Sequence, residues 1–177
     1  IRGVLAEVDV AAFQHNLNLV KQSVAPQVKL LLMLKANAYG HDLSLLASVL
    51  DNIDGVGLAA YSAAISIREQ GFTAPIMMMQ GFASSEELTL CLKYNLTPVL
   101  HNHYQLECLQ KLSTANRINC WLKINTGMNR LGFQPDEFAT VYSKICATSA
   151  INEDNLVVLT HLATADMKDQ HKGLAQI

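Results

Sequence analysis

An α/β chain built around a parallel sheet is what this sequence predicts, and three observations predict it. First, five consecutive aliphatic residues, Leu30-Leu31-Leu32-Met33-Leu34, lead into Lys35 and then break into small and polar residues. Such a run reads as a strand buried on both faces, as parallel sheets require. Second, apolar strand-like runs alternate with amphipathic helical patterns along the chain, which is the order of βα units. Third, the length fits a barrel. A (β/α)8 barrel takes about 250 residues, or about 31 per unit, so 177 residues hold roughly five to six units. An open six-stranded sheet would suit the same length, but no Gly-x-Gly-x-x-Gly loop follows the first strand, so a dinucleotide fold lacks its usual mark. The predicted fold is therefore an incomplete (β/α)8 barrel of the TIM type, with about six strand-helix units present.

The elements follow in order. Val4 to Val8 reads as a short amino-terminal strand. Asp9 is placed to cap a helix from Val10 to about Val24, with Phe13, Leu17, Val20 and Val24 on one stripe. After the Lys35 strand, Leu43, Leu46, Ala47 and Leu50 mark a helix. Gly55 to Ala60 is the next strand, and a helix carrying Ala64 and Ile67 ends near Gly71. Pro75 to Met79 is a strand whose methionines read as core filling. Ser84-Ser85-Glu86-Glu87 starts a helix. Pro98-Val99-Leu100 is a strand, and Asn102 caps a helix carrying Leu106 and Leu109. Ile118 to Ile124 is the fifth strand, and Gln134-Pro135-Asp136 opens a helix with Phe138, Val141, Tyr142 and Ile145. Leu156 to Thr160 is the sixth, with the start of a further helix after it. The domain reading is an amino-terminal strand segment over 1–9 and a partial barrel over 10–177.

Composition narrows the partners. Apolar residues make up 50% and charged residues 16%, with a formal net charge of −2. That balance gives no electrostatic case for nucleic acid or an anionic membrane. No apolar run approaches the roughly 18 residues of a membrane span. The four cysteines, Cys91, Cys108, Cys120 and Cys146, form no Cys-x-x-Cys pair and read as reduced thiols of a cytoplasmic protein. His101 and His103 are either loop histidines or two members of a metal site that lacks a third ligand. No metal is expected.

Three clusters carry chemistry. Lys35 stands at the carboxyl end of a strand, where α/β sheets and barrels place their reacting groups. It is either a solvated strand-end lysine or a Schiff-base nucleophile. Ala36, Asn37, Ala38 and Gly40 let the chain turn tightly, returning Tyr39 and His41 toward the same rim. Lys123 also ends a strand, and Gly127 and Gly132 allow a compact loop that would carry Arg130 inward; a surface lysine followed by a glycine-rich turn is the plainer reading. His161 follows the sixth strand, as a structural histidine or as part of a site.

Together these segments resemble one family. Lys35-Ala-Asn-Ala-Tyr-Gly-His41 resembles the cofactor-lysine motif of alanine racemases, with Asp42 where glycine is common. Lys123-Ile-Asn-Thr-Gly-Met-Asn-Arg130-Leu-Gly132 resembles that family's Lys-x-(Asp/Asn)-Thr-Gly-Met-x-Arg-x-Gly, and His161-Leu-Ala-Thr-Ala-Asp166 resembles its His-(Phe/Leu)-Ala-x-Ala-Asp. The resemblance implies pyridoxal 5'-phosphate as cofactor, alanine as substrate and a homodimer in the complete enzyme. It makes Lys35 the catalytic, cofactor-bearing lysine and gives the Tyr39 hydroxyl to the cofactor phosphate. Arg130 would contact the cofactor's phenolic oxygen and the substrate carboxylate, and His161 would flank the cofactor. Lys123 would be carbamylated. Two neighbouring cations repel, and a carbamate would reverse the sign of Lys123 and make it a partner for Arg130. Asn125 stands where aspartate is frequent.

The activity so implied is interconversion of L- and D-alanine, supplying D-alanine for peptidoglycan. Other readings are a serine or broad-specificity racemase on the same scaffold, or a pyridoxal-phosphate-binding regulator without turnover. By the barrel arithmetic the chain corresponds to the first half to two-thirds of such an enzyme. The expectation is that the last two barrel strands and a carboxyl-terminal β-domain are absent, and that this piece is catalytically deficient. In the family that β-domain supplies a catalytic tyrosine to the other subunit.

Overall fold

The computed structural model describes residues 3–167 and 171–176. It divides into two compact units, Ile1–Met77 and Met78–Ile177.

In the first unit, helix α1 (Val10–Ser23) starts where the sequence says it should. Asp9 Oδ1 accepts from the Ala12 amide at 2.9 Å, satisfying one donor that a helix start leaves orphaned. Of the predicted stripe only Leu17 is buried; Phe13 and Val24 are half-buried and Val20 is exposed. Strand β1 (Leu31–Met33) runs parallel to β2 (Gly55–Leu58), pairing Leu31 with Gly55 and Met33 with Gly57. A Cβ at Gly57 would collide with the Met33 side chain, so glycine there lets Met33 lie across the neighbouring strand. β2 is buried throughout. β1 departs from expectation: its three residues are only half-buried. It is an edge of the sheet, and a cavity of about 200 Å3 lined by Phe13, Leu17, Val20 and Leu31 lies between it and α1.

Two further predictions in this unit need correction. Residues 3–9 form no strand, and Val4 is fully exposed. An extended segment becomes a strand only with a ladder partner for its amides, and the described residues offer none. The helix predicted after Gly40 splits into α2 (Leu43–Leu46) and a 3-10 turn (Ala47–Asn52), with Leu43, Leu46 and Leu50 still buried. Helix α3 (Tyr61–Glu69) buries Ala64 and Ile67. Its Arg68 guanidinium donates to the carbonyls of Phe72 and Ala74, tying down the turn that follows. The Val56 amide then donates to Pro75 O at 2.9 Å, leading into the buried strand β3 (Ile76–Met78) at the division between the units.

The second unit repeats the strand-helix order. Helix α4 (Ser85–Lys93) is capped by Ser84, which accepts from the Glu87 amide at 3.3 Å, while Glu87 accepts from the Ala83 amide at 2.7 Å. That reciprocal arrangement is close to a capping box. β4 (Leu96–Leu100) is fully buried, and Asn102 caps helix α5 (His103–Lys111) by accepting from the Gln105 amide. β5 (Trp121–Lys123) pairs in parallel with β4 on one side and with β6 (Val157–Leu159) on the other. The predicted strand Ile118–Ile124 is thus shorter, with Ile118 making only a single bridge to Ile151. A 3-10 turn (Pro135–Glu137) leads into helix α6 (Phe138–Cys146), which buries Val141 and Ile145. A four-residue helix, α7 (His171–Leu174), follows β6. All four cysteines are free thiols, with Cys91 and Cys120 buried. Burial pushes the Cys120 thiol up to about 12, so it stays protonated near neutrality. Among the described residues no helix is long and apolar enough to cross a membrane.

Candidate active site

The end of β1 holds the most unusual backbone in the protein. Leu34 is buried and its amide still donates to Gly57 O at 2.9 Å, as if the strand continued. The four residues after Lys35 then adopt left-handed angles: Ala36, Asn37, Ala38 and Tyr39 have φ of 51, 54, 55 and 54°. Each non-glycine residue in that region costs roughly 1–2 kcal/mol, and a run of four persists only when its surroundings over-determine it. They do so here. Asn37 Oδ1 accepts from the Leu43 amide at 2.9 Å, the Ala38 amide donates to Leu34 O at 3.0 Å, and His41 Nδ1 bonds Ala38 O at 2.9 Å. Gly40, at φ 88°, ends the turn. The result is a half-buried Lys35 whose Nζ lies 5.8 Å from the centroid of the Tyr39 ring. Tyr39 is 58% exposed.

In the second unit the strand end of β5 closes on itself. The Asn125 amide donates to Phe133 O at 2.8 Å, and the Phe133 amide donates to Lys123 O at 3.0 Å. This brings Gly132 against the strand: a Cβ there would lie 2.7 Å from Asn125 N and 2.9 Å from Ile124 C, and its φ is 126°. Glycine is what lets the loop return this tightly. The loop residues include Arg130, an exposed residue. Lys123 is half-buried, and its pKa is lowered first by desolvation and then by repulsion from Arg130.

Asn125, read in the sequence only as a departure from aspartate, organises this loop. Its Oδ1 accepts from the amides of Gly127 at 3.2 Å and Asn129 at 2.9 Å, and its Nδ2 donates to Asn129 Oδ1 at 2.9 Å. The loop is joined to the end of β6 by Thr126 Oγ1, 2.7 Å from Thr160 Oγ1. Next along the chain is His161, an exposed residue whose backbone carbonyl accepts from Gln176 Nε2. The contacts of Thr126, Thr160 and Gln176 carried no signal in the sequence, because their partners lie 13 to 50 residues away. His101 and His103 do not act together: His101 Nε2 bonds Gln80 O at 3.0 Å, and His103 Nε2 bonds Glu137 Oε1 at 2.8 Å. No group of three or more side chains suited to a metal occurs among the described residues.

Parallel strand-helix units with lysines at two strand ends define a barrel-type enzyme scaffold. A family profile described as "Alanine racemase, N-terminal domain" matches residues 8–177. The chain belongs to that family. It is 38% identical over 172 residues to alanine racemase of Shewanella sediminis, covering 97% of this chain and 48% of the relative. To alanine racemase of Nitrosomonas eutropha it is 38% identical over 165 residues, covering 93% and 45%. Among solved structures, the biosynthetic alanine racemase of Pseudomonas aeruginosa superposes with a TM-score of 0.88 at 30% identity, covering 96% of this chain and 47% of that one. Alanine racemase of Acinetobacter baumannii does so with a TM-score of 0.84 at 33% identity, covering 96% and 49%. The chain spans about half the length of these relatives.

Proposed function

We propose that the protein carrying this chain interconverts L- and D-alanine with pyridoxal 5'-phosphate. The observation that carries this reading is Lys35, an amine fixed at a strand end by a left-handed turn that ordinary folding does not favour. The donor set fits the cofactor: one amine able to hold an aldehyde, one accessible phenol and one guanidinium. When bound, the cofactor would supply an electron sink for negative charge at the substrate Cα.

The chain's own residues divide the remaining work. Lys35 holds the cofactor and moves a proton at Cα on one face. Racemisation needs a second proton donor on the opposite face, and the family resemblance assigns it to a tyrosine of the partner subunit in a dimer. Tyr39 donates its hydroxyl hydrogen to the phosphate. Arg130 binds the substrate carboxylate through charge-assisted hydrogen bonds. His161 flanks the cofactor. Lys123, with its lowered pKa, is suited to carbamylation: its neutral amine adds to carbon dioxide, forming a carbamate and releasing a proton. The carbamate then attracts Arg130 where the ammonium repelled it.

The test is enantiomer-resolved turnover by the full-length protein in deuterated water. D-alanine formed from L-alanine, with deuterium at Cα and dependence on added cofactor, supports the reading. A protein that binds the cofactor and leaves the Cα proton in place contradicts it.

A further inference from the structure

We infer that His103 is a positioning residue for the loop that carries Arg130: together with Glu137 it clasps Phe133, the residue that closes that loop, and so tunes how well Arg130 holds the substrate carboxylate. This rests on the carboxylate-binding role proposed above for Arg130.

Phe133 is where the loop is pinned. Its amide donates to Lys123 O at 3.0 Å and its carbonyl accepts from the Asn125 amide at 2.8 Å, so both of its backbone groups are spent on the end of β5. Phe133 is buried, and the imidazole of His103 packs against its ring with centroids 5.1 Å apart and planes at 75°. That is the edge-to-face geometry in which the positive rim of one ring meets the negative face of another. His103 is the first residue of α5, so the contact joins the helix that follows β4 to the loop that follows β5.

The imidazole is itself held in orientation. His103 Nε2 donates to Glu137 Oε1 at 2.8 Å, which fixes the proton on Nε2 in the neutral ring. The other oxygen of that carboxylate, Oε2, accepts from the Gln134 amide at 2.9 Å, one residue beyond Phe133. Those two donors, the Gln134 amide first, hold the Glu137 carboxyl below its usual range, so it accepts at both oxygens near neutrality. Behind His103, Asn102 Oδ1 accepts from the Gln105 amide at 3.0 Å, and the buried Gln105 side chain accepts from the His101 amide at 2.9 Å and donates to Phe82 O at 3.1 Å. The clasp is thus anchored on one side in the core and on the other in the turn after Phe133. Both His103 and Glu137 reach solvent, and an exposed pair adds little to global stability. What it governs is local: how far Phe133, and the loop it pins, can move.

The full-length protein carries the test, with His103→Ala, His103→Gln, Phe133→Leu and the double variant His103→Ala with Phe133→Leu. Three quantities are read: hydrogen exchange at the Phe133 and Asn125 amides in cofactor-free protein, KM and kcat for alanine, and the melting temperature. In His103→Ala both amides should exchange about threefold faster or more, the scale of one aromatic contact. KM should rise by a similar factor, while kcat and the melting temperature stay unchanged. His103→Gln keeps a donor for Glu137 but no ring, and should not restore the parent exchange. With Phe133→Leu already in place, adding His103→Ala should change exchange little, because the ring it packs against is gone. Parent-like exchange at Phe133 in His103→Ala, or full rescue by His103→Gln, overturns the clasp. Faster exchange with KM unchanged, or an equal rise at the buried Leu109 in α5, overturns the positioning role. If the parent protein leaves alanine unconverted, the proposed function fails and the positioning role with it, while the Phe133 exchange still decides whether the clasp exists.

Discussion

Asn125 and Asn129 hold each other twice. Asn125 Nδ2 donates to Asn129 Oδ1 at 2.9 Å, and the Asn129 backbone amide donates to Asn125 Oδ1 at the same distance. The pair closes the loop that carries Arg130. Asn129 sits at φ 60°, a region that asparagine tolerates better than most residues.

Replacing Asn125 should show which half of this exchange matters. Asn125 is buried, so Asn125→Ala leaves the Gly127 and Asn129 amides without their acceptor, at a cost of about 2–3 kcal/mol. Asn125→Asp keeps both acceptor contacts, and the Asn129 amide can flip to donate in return. Its cost should be under about 1 kcal/mol. Urea unfolding of the three proteins compares them; equal losses in both variants would contradict this account of the loop.

Gly132→Ala should be more damaging than either. Its Cβ meets backbone atoms at 2.7 and 2.9 Å, and backbone gives way less easily than a side-chain tip. With the unfavourable φ added, destabilisation of roughly 3 kcal/mol is expected. A midpoint of unfolding within error of the parent would show that the loop closes differently.

Lys123 gives a pH dependence with a definite sign. Its folded pKa is lowered from 10.5 by burial and then by Arg130, so the unfolded chain binds more protons in the alkaline window. Stability should therefore rise as pH climbs from the lowered value toward 10.5. In buffer free of carbon dioxide, the parent should gain on Lys123→Met across that window. A flat or falling difference would contradict the lowered pKa.

Arg130→Ala in the full-length protein should weaken alanine binding or turnover by about tenfold or more, because a charge-assisted contact is worth about 1.5–3 kcal/mol. Unchanged kinetics in a folded variant would remove Arg130 from carboxylate binding.

Much of the fold was legible because its signals are local. Asp9, Ser84 and Asn102 cap the helices they were read to cap, and Leu106, Leu109, Val141 and Ile145 face the core as their spacing implies. Val4 to Val8 misled because a short, mostly apolar run shows that a segment can be extended, and says nothing of whether a partner strand exists. The Lys35 motif located the site, but the left-handed run over 36–39 did not show: alanine and tyrosine have no preference for it, and only Asn37 hinted at it. Gln176 was invisible for a different reason. Its partners stand 13 to 50 residues away, and no periodicity encodes contacts at that separation.

The most direct measurement traps the cofactor on its lysine. Full-length protein incubated with pyridoxal phosphate is reduced with borohydride, digested and mapped by mass spectrometry. The account predicts one dominant label, on Lys35 in the peptide that continues Ala36-Asn37-Ala38-Tyr39. A label mainly on Lys123, or spread over surface lysines, would contradict it.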